Sequence, residues 1–328
     1  ITWPSRVKWK NNTTPTLFAN NDPYILSNPL QIFRFTTVDT GLNYNGWEEM
    51  KNSGDATNFW SWGYYRFGSS GNNDNVKRSS PTQVAGGKYF DTVSGDFTTL
   101  GIVDGTLWAW GYNNMGPLGQ NDRTSRSSPV QVPGTIWSAG GIFNPNNESI
   151  AATKTDNTLW AWGSNEYGEL GQNSTGDDRS SPVQIPGTTW NTSIGGVFGG
   201  LTTFAFKTDG TLWSWGYNTK GQMGINNITN YSSPKQIPGA NYDTGLRKNS
   251  ATGSRASIKT DGTLWVTGDN GWGQLGINSK DDHRSSPVQI PGTTWSKVSV
   301  AGATHGYVKT DGTLWVSGRN NDGELGIN

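Results

Sequence analysis

Apolar and polar residues alternate at short range along most of this chain, and turn-forming pairs cut the alternation at regular intervals. Leu107-Trp108-Ala109-Trp110 follows Asp104-Gly105-Thr106 and ends on Gly111; the same frame returns at 155–163, 208–216, 260–268 and 310–318. Asn58-Phe59-Trp60-Ser61-Trp62-Gly63 is a degenerate first copy. A period of two places neighbouring side chains on opposite faces of a strand, and an Asp-Gly or Asp-Asn pair before it supplies the left-handed turn of a hairpin.

Each frame is followed by a glycine-punctuated loop such as Gly168-Glu169-Leu170-Gly171-Gln172-Asn173. Ser180-Ser181-Pro182-Val183-Gln184-Ile185 then reads as an outer strand, because proline is tolerated on a sheet edge and not in its centre. Trp137, Trp190 and Trp295 stand at a matching offset beyond the Pro-Gly pair and open a further strand, giving about four strands per copy. The aligned tryptophans Trp60, Trp108, Trp160, Trp213, Trp265 and Trp315 recur every 48 to 53 residues, the length of one propeller blade. The fold expected is therefore all-β: a closed β-propeller of four-stranded blades over residues 51–328. Six repeats are visible, with seven blades as the alternative, and the aligned tryptophans serve as its repeat core. The last copy lacks its Ser-Ser-Pro strand, so closure must borrow one from elsewhere.

The string Ala301-Gly302-Ala303-Thr304-His305, then Lys309-Thr310-Asp311-Gly312-Thr313-Leu314-Trp315 and Gly323-Glu324-Leu325-Gly326, resembles the regulator of chromosome condensation repeat family. The resemblance runs from about Asn58 to Asn328. It implies a circular propeller, usually of seven blades, with His305 near a central shaft. It also implies a non-enzymatic interaction module, some members being guanine nucleotide exchange factors.

Residues 1–50 carry strands without the blade signature: Trp3-Pro4-Ser5-Arg6-Val7-Lys8-Trp9, then Ile32-Phe33-Arg34-Phe35. This opening is similar to short β segments in structural proteins of tailed bacteriophages. The resemblance implies a virion-attachment segment, a location on the virion surface, and a fibre, decoration or host-attachment role. Its partners would be other virion proteins and a bacterial surface glycan or protein, with a homo-oligomer as one arrangement. The competing reading is a cellular protein-interaction propeller of the exchange-factor type.

Composition narrows the chemistry. With 25 basic and 25 acidic side chains, and no run of either, nothing steers the chain onto nucleic acid or an anionic membrane. No apolar stretch is long enough for a spanning helix, so membrane insertion is not expected. Cysteine is absent and histidine is limited to His283 and His305, which excludes disulfides, thiolate zinc sites and a three-histidine metal centre. No cofactor, metal or catalytic residue is expected. The pairs Asp177-Asp178 and Asp281-Asp282 sit in turns where carboxylates bond nearby backbone, and Gly195 to Gly200 lacks the Lys-Ser/Thr of a phosphate loop. The 45 glycines fit many tight turns. Beginning at Ile1 and stopping at Asn328 inside a repeat, the chain reads as processed or as part of a longer one.

Comparing copies separates scaffold from surface. Phe67, Met115, Tyr167, Lys220, Trp272 and Asp322 share one freely varying loop position, and three of them are aromatic. Phe67, Tyr167 and above all Trp272 are the binding candidates, because exposed aromatics stack on sugars or anchor protein partners. Asn146 and Arg247 join them from the longer loops, 144–148 and 244–254, whose length and charge differ between copies.

Overall fold

A computed structural model of the chain describes residues 60–63, 67–85, 92–95, 97–143, 148–192, 197–199, 201–239, 242–249 and 253–327. The segment 1–50 lies outside them. Among the described residues there are strands and turns and no helix.

The strands fall into consecutive antiparallel units. Unit 1 shows β1 (Trp60–Gly63) and β2 (Arg78–Gln83). Unit 2 is β3 (Thr92–Gly95), β4 (Thr98–Val103), β5 (Thr106–Gly111) and β6 (Arg126–Gln131). Unit 3 is β7 (Trp137–Phe143), β8 (Ser149–Lys154), β9 (Leu159–Gly163) and β10 (Arg179–Ile185). Unit 4 is β11 (Val197–Gly199), β12 (Thr202–Phe206), β13 (Leu212–Gly216) and β14 (Tyr231–Gln236). Unit 5 is β15 (Tyr242–Asn249), β16 (Ser254–Lys259), β17 (Leu264–Gly268) and β18 (Arg284–Ile290). Unit 6 is β19 (Trp295–Ala301), β20 (Thr304–Lys309) and β21 (Leu314–Gly318), a three-stranded sheet on whose outermost strand Leu314 and Trp315 are exposed.

The hairpin between the second and third strands explains the Asp-Gly-Thr-Leu-Trp string. Asp156 Oδ1 accepts from the Thr158 N–H at 3.0 Å and its hydroxyl at 2.7 Å, and the Trp160 indole N–H donates to Thr158 Oγ1 at 2.9 Å. The same relay joins Asp209, Thr211 and Trp213, and again Asp261, Thr263 and Trp265. The relay holds the first tryptophan at the unit's surface. Trp108, Trp160, Trp213 and Trp265 are accordingly half-buried, and Lys154 and Lys207 each lie 4.2 Å over the rings of Trp160 and Trp213. The described residues say nothing of the Trp60 side chain.

The fully enclosed indoles are the second of each pair, Trp110, Trp162 and Trp215, with Trp137 at the head of β7 and Trp190, which opens no strand and makes only an isolated bridge to Lys207. The two tryptophans of a pair stand two residues apart and so share one face of the strand, and the second is the one sealed against the preceding unit. There its N–H meets a loop carbonyl: Trp110 to Ser69 at 2.9 Å, Trp162 to Pro117 at 2.8 Å, Trp215 to Glu169 at 2.8 Å. Core clusters thus bridge units: Leu118 and Val132 of unit 2 pack with Ile150 and Trp162 of unit 3.

A second staple joins neighbours at the rim. Asn121, at φ 60°, donates its N–H to the Ser180 carbonyl at 2.7 Å and accepts the Ser181 hydroxyl at 3.2 Å. Asn73, Asn173 and Asn226 repeat this pairing with Ser127 and Ser128, Ser232 and Ser233, and Ser285 and Ser286. The approach needs glycine: a Cβ on Gly168 would stand 2.6 Å from Ser232 Cα.

Candidate interaction face

In an antiparallel four-stranded unit the loops after the first and third strands emerge at the same edge. Here they are tied together: the Tyr112 N–H donates to the Phe97 carbonyl at 2.9 Å, and the Ser164 N–H to the Glu148 carbonyl at 2.8 Å. Repeating the unit arrays these loops as one face.

A buried asparagine organises the loop after the third strand in units 2 to 5. Asn113 Oδ1 accepts the Leu118 N–H at 2.9 Å while its amide donates to the Asp122 and Thr124 carbonyls. Asn165, Asn218 and Asn270 make the matching bonds to Leu170, Met223 and Leu275. A carboxylate or amide two residues beyond the varying position then holds that residue's backbone. Glu169 Oε2 accepts the Tyr167 N–H at 2.8 Å, Gln222 Oε1 that of Lys220 at 2.9 Å, and Gln274 Oε1 that of Trp272 at 2.9 Å. Burial pushes the Glu169 carboxyl above its usual range, its hydrogen bonds to backbone and Ser164 opposing.

Fixed in this way, the varying side chains project beside the next unit. Phe67 is 39% exposed, its ring 4.8 Å from that of Tyr112. Tyr167 lies 4.8 Å from Tyr217, and the Glu166 carboxylate beside it raises the Tyr167 hydroxyl above its ordinary value. Lys220 Nζ stands 3.1 Å from His283 Nε2. Trp272, 45% exposed, has the Arg319 guanidinium 5.5 Å and the Lys280 ammonium 5.4 Å from its ring. The varying position therefore has a neighbour across the unit boundary. It still leaves Phe67 and Trp272 exposed and Tyr167 partly exposed.

Phe67, Tyr167 and Trp272 share the face but sit on different units, each with its own neighbour. Asn146 lies outside the described residues. Arg247 is described only as backbone in β15, opposite Ser257. Tyr112, Tyr217 and Arg319, each directly after the glycine that ends a third strand, belong to the face and were not singled out from sequence; their constant offset from the Leu-Trp-x-x-Gly frame was the available signal. Of the acidic pairs, Asp178 accepts the Asn165 N–H at 3.1 Å and meets Arg123 of the preceding unit at 3.3 Å, and Asp282 pairs with Arg284. Among the described residues no cluster of three or more His, Asp or Glu gathers as a metal site would need.

A separate groove of about 350 Å³ lies at the rim between units 3 and 4, with Trp190, Lys207 and Trp213 on one wall and Gln172 and Asn173 on the other.

The model of the regulator of chromosome condensation repeat matches residues 104–136, 156–203, 209–247 and 261–308, just over half of the chain. The chain belongs to the regulator of chromosome condensation repeat family. Its repeats match units 2 to 6 of the propeller. Among curated relatives, the mitochondrial RCC1 domain-containing protein RUG3 of Arabidopsis thaliana is 30% identical over 161 residues, 47% of this chain and 33% of that protein. Human protein RCC2 is 30% identical over 124 residues, 38% of this chain and 23% of its own length. The chain thus spans a third or less of these relatives. In solved structures, yeast RCC1 (Prp20) bound to Kap60 superposes with a TM-score of 0.67 at 18% identity, over 84% of this chain and 68% of the other. Human WBSCR16 gives 0.58 at 20% identity, over 80% and 68%. These likenesses establish the propeller fold of the repeat family.

The same findings correct one expectation. The virion-surface location inferred from the opening segment is overturned, because the matched relatives are proteins of cellular organisms, one of them mitochondrial by name. A short likeness over residues outside the repeats is outweighed by a match that runs through most of the propeller.

Proposed function

We propose that this chain is a non-enzymatic protein-interaction scaffold that engages a protein partner through the face formed by the loops after the third strands. The observation that carries the reading is the set of partly exposed aromatics, Phe67 with Tyr112, Tyr167 with Tyr217, and Trp272, of which Tyr112, Tyr167, Tyr217 and Trp272 sit on loops fixed by the buried Asn113, Asn165, Asn218 and Asn270. Pre-ordered tryptophan and tyrosine side chains lose little entropy on binding and dominate interface energetics. The fold is that of yeast Prp20p, whose structure is described with its binding to Gsp1p and histones, and the family's resemblance to exchange factors makes a small GTPase one partner class to test. This reading takes the units as a closed ring, with the β21 edge covered by an outer strand.

The test is affinity enrichment from cell extract, plus panels of purified small GTPases and of glycans, using the native chain, Trp272→Ala, Tyr167→Ala and, as control, Lys297→Ala, an exposed residue near the start of β19 at the end away from that face. The reading expects one protein partner retained by the native chain and the control and weakened at least about tenfold by either face variant. Retention indifferent to both face variants, or binding confined to glycans, overturns it.

A further inference from the structure

In three inter-unit contacts the second tryptophan of the third strand faces a smaller residue on the second strand: Trp110 opposite Thr99, Trp162 opposite Ile150, Trp215 opposite Thr203. Units 5 and 6 invert this. Thr267 and Ser317 replace the tryptophan, and the bulk moves to the opposite strand as Arg255 and His305. Such an exchange keeps the interface filled while changing which polar atoms it must satisfy.

In unit 6 every polar atom of the exchange is paired. The Ser317 hydroxyl donates to the Gln274 carbonyl at 2.7 Å, His305 Nε2 lies 2.7 Å from Ser254 Oγ, and His305 Nδ1 lies 2.8 Å from the Tyr307 hydroxyl. Unit 5 differs. Arg255 is 0% exposed, yet its Nε, Nη1 and Nη2 have no hydrogen-bond partner among the described residues, and neither have Thr267 Oγ1 and Ser257 Oγ of the same sheet.

The Arg255 guanidinium carbon lies 5.2 Å from the centre of the Phe204 ring and 5.8 Å from that of Tyr242, whose hydroxyl donates to the Pro238 carbonyl at 3.1 Å. Arg255 Nη2 comes within 3.7 Å of the Cβ position of Gly224, and Thr267 Cγ2 within 3.4 Å. At the matching glycines, Gly171 and Gly119, the nearest atoms are the indole nitrogens of Trp215 and Trp162. The arginine thus takes the place of an indole N–H and brings a full positive charge with it. Burial lowers its proton affinity, the neighbouring Tyr242 opposing. The ion pairs of the described arginines involve Arg78, Arg123, Arg126, Arg284 and Arg319, not Arg255.

A buried cation with unsatisfied donors, in a sheet that also buries two unpaired hydroxyls, asks for a compact counter-charge. We propose that the contact between units 4 and 5 is a binding site for a small monovalent anion of chloride or bromide size, held by the Arg255 guanidinium edge with the Thr267 and Ser257 hydroxyls. The flanking Phe204, Phe206 and Ile237 are buried and apolar, which disfavours a larger, multiply charged oxyanion needing many donors.

The experiment follows thermal unfolding of the full chain while sodium bromide replaces sodium gluconate at constant ionic strength, with crystals grown in bromide for anomalous scattering. A ligand bound only by the folded state raises the midpoint saturably. The site predicts such a rise for the native chain, a flat series for Arg255→Met, and a bromide peak at Arg255. Should Arg255→Met not fold, the double change Arg255→Thr with Thr267→Trp restores the unit 4 pattern and is expected to fold without the bromide response. Identical bromide series in native and variant chains, or bromide peaks found only elsewhere, overturn the site.

Discussion

Replacing Trp162 and Trp160 separately by alanine tests which tryptophan of each pair binds the units together. Trp162 is fully enclosed by Leu118, Val132, Ile150 and Trp137, and its N–H donates to the Pro117 carbonyl of the preceding unit at 2.8 Å. Truncating an enclosed tryptophan costs roughly 3–5 kcal/mol, and leaving that carbonyl unpaired adds about 1 kcal/mol. Trp160 is half-buried, and the Thr158 hydroxyl it uses can turn to other partners. Losing about half of a ~200 Å² burial at ~25 cal/mol/Å² gives roughly 2.5 kcal/mol, with about 0.5 kcal/mol for the Lys154 contact at 4.2 Å. The expected difference is about 2 kcal/mol, Trp162→Ala being the worse. Urea unfolding followed by far-ultraviolet circular dichroism measures it, with coincident transitions by a second probe to establish two-state behaviour in a repeat protein. Trp162→Phe should fall between the two. Equal losses, or a larger loss for Trp160→Ala, would refute the assignment of the second tryptophan to the inter-unit core.

Two further outcomes follow. Gly168→Ala, at φ 86° with its new methyl 2.6 Å from Ser232 Cα, is expected to cost about 2–4 kcal/mol and to loosen the boundary between units 3 and 4, read as faster amide exchange on both sides. His305 is held neutral by burial, its pKa lowered from 6.5 to about 4. The unfolded chain therefore takes up this proton first, so its stabilising share is complete above pH ~6.5 and lost as pH falls toward ~4, roughly 3 kcal/mol in all; His305→Gln should flatten that part of the stability profile, and an unchanged slope would contradict the burial.

How much of this was legible in the chain itself can be judged from single residues. The Asp-x-Thr-Leu-Trp hairpins, the Ser-Ser-Pro outer strands and the opening tryptophans all follow from local alternation and turn chemistry, which act within a few residues. The Trp160 position drew attention because it is occupied in every copy, yet it recurs for a local reason, its bond to Thr158. Trp162 recurs less regularly, giving way to Thr267 and Ser317, because its partner is a carbonyl some 45 residues away that only folding brings near. The Asn–Ser staples escaped notice on the same ground. Variation at Phe67, Tyr167 and Lys220 read as freedom from packing, whereas Tyr112, Tyr217 and His283 vary opposite them. Contacts between differing loops leave no period in a single sequence.

The central claim is that partners are bound by the face carrying Tyr167 and Trp272. Placing a photo-crosslinking amino acid at 167, at 272 and at the exposed position 297 near the start of β19, then irradiating the full chain in cells, tests it most directly. The account predicts one shared protein adduct from positions 167 and 272 and none of it from 297. Adducts that arise equally from 297, or only from 297, would contradict it.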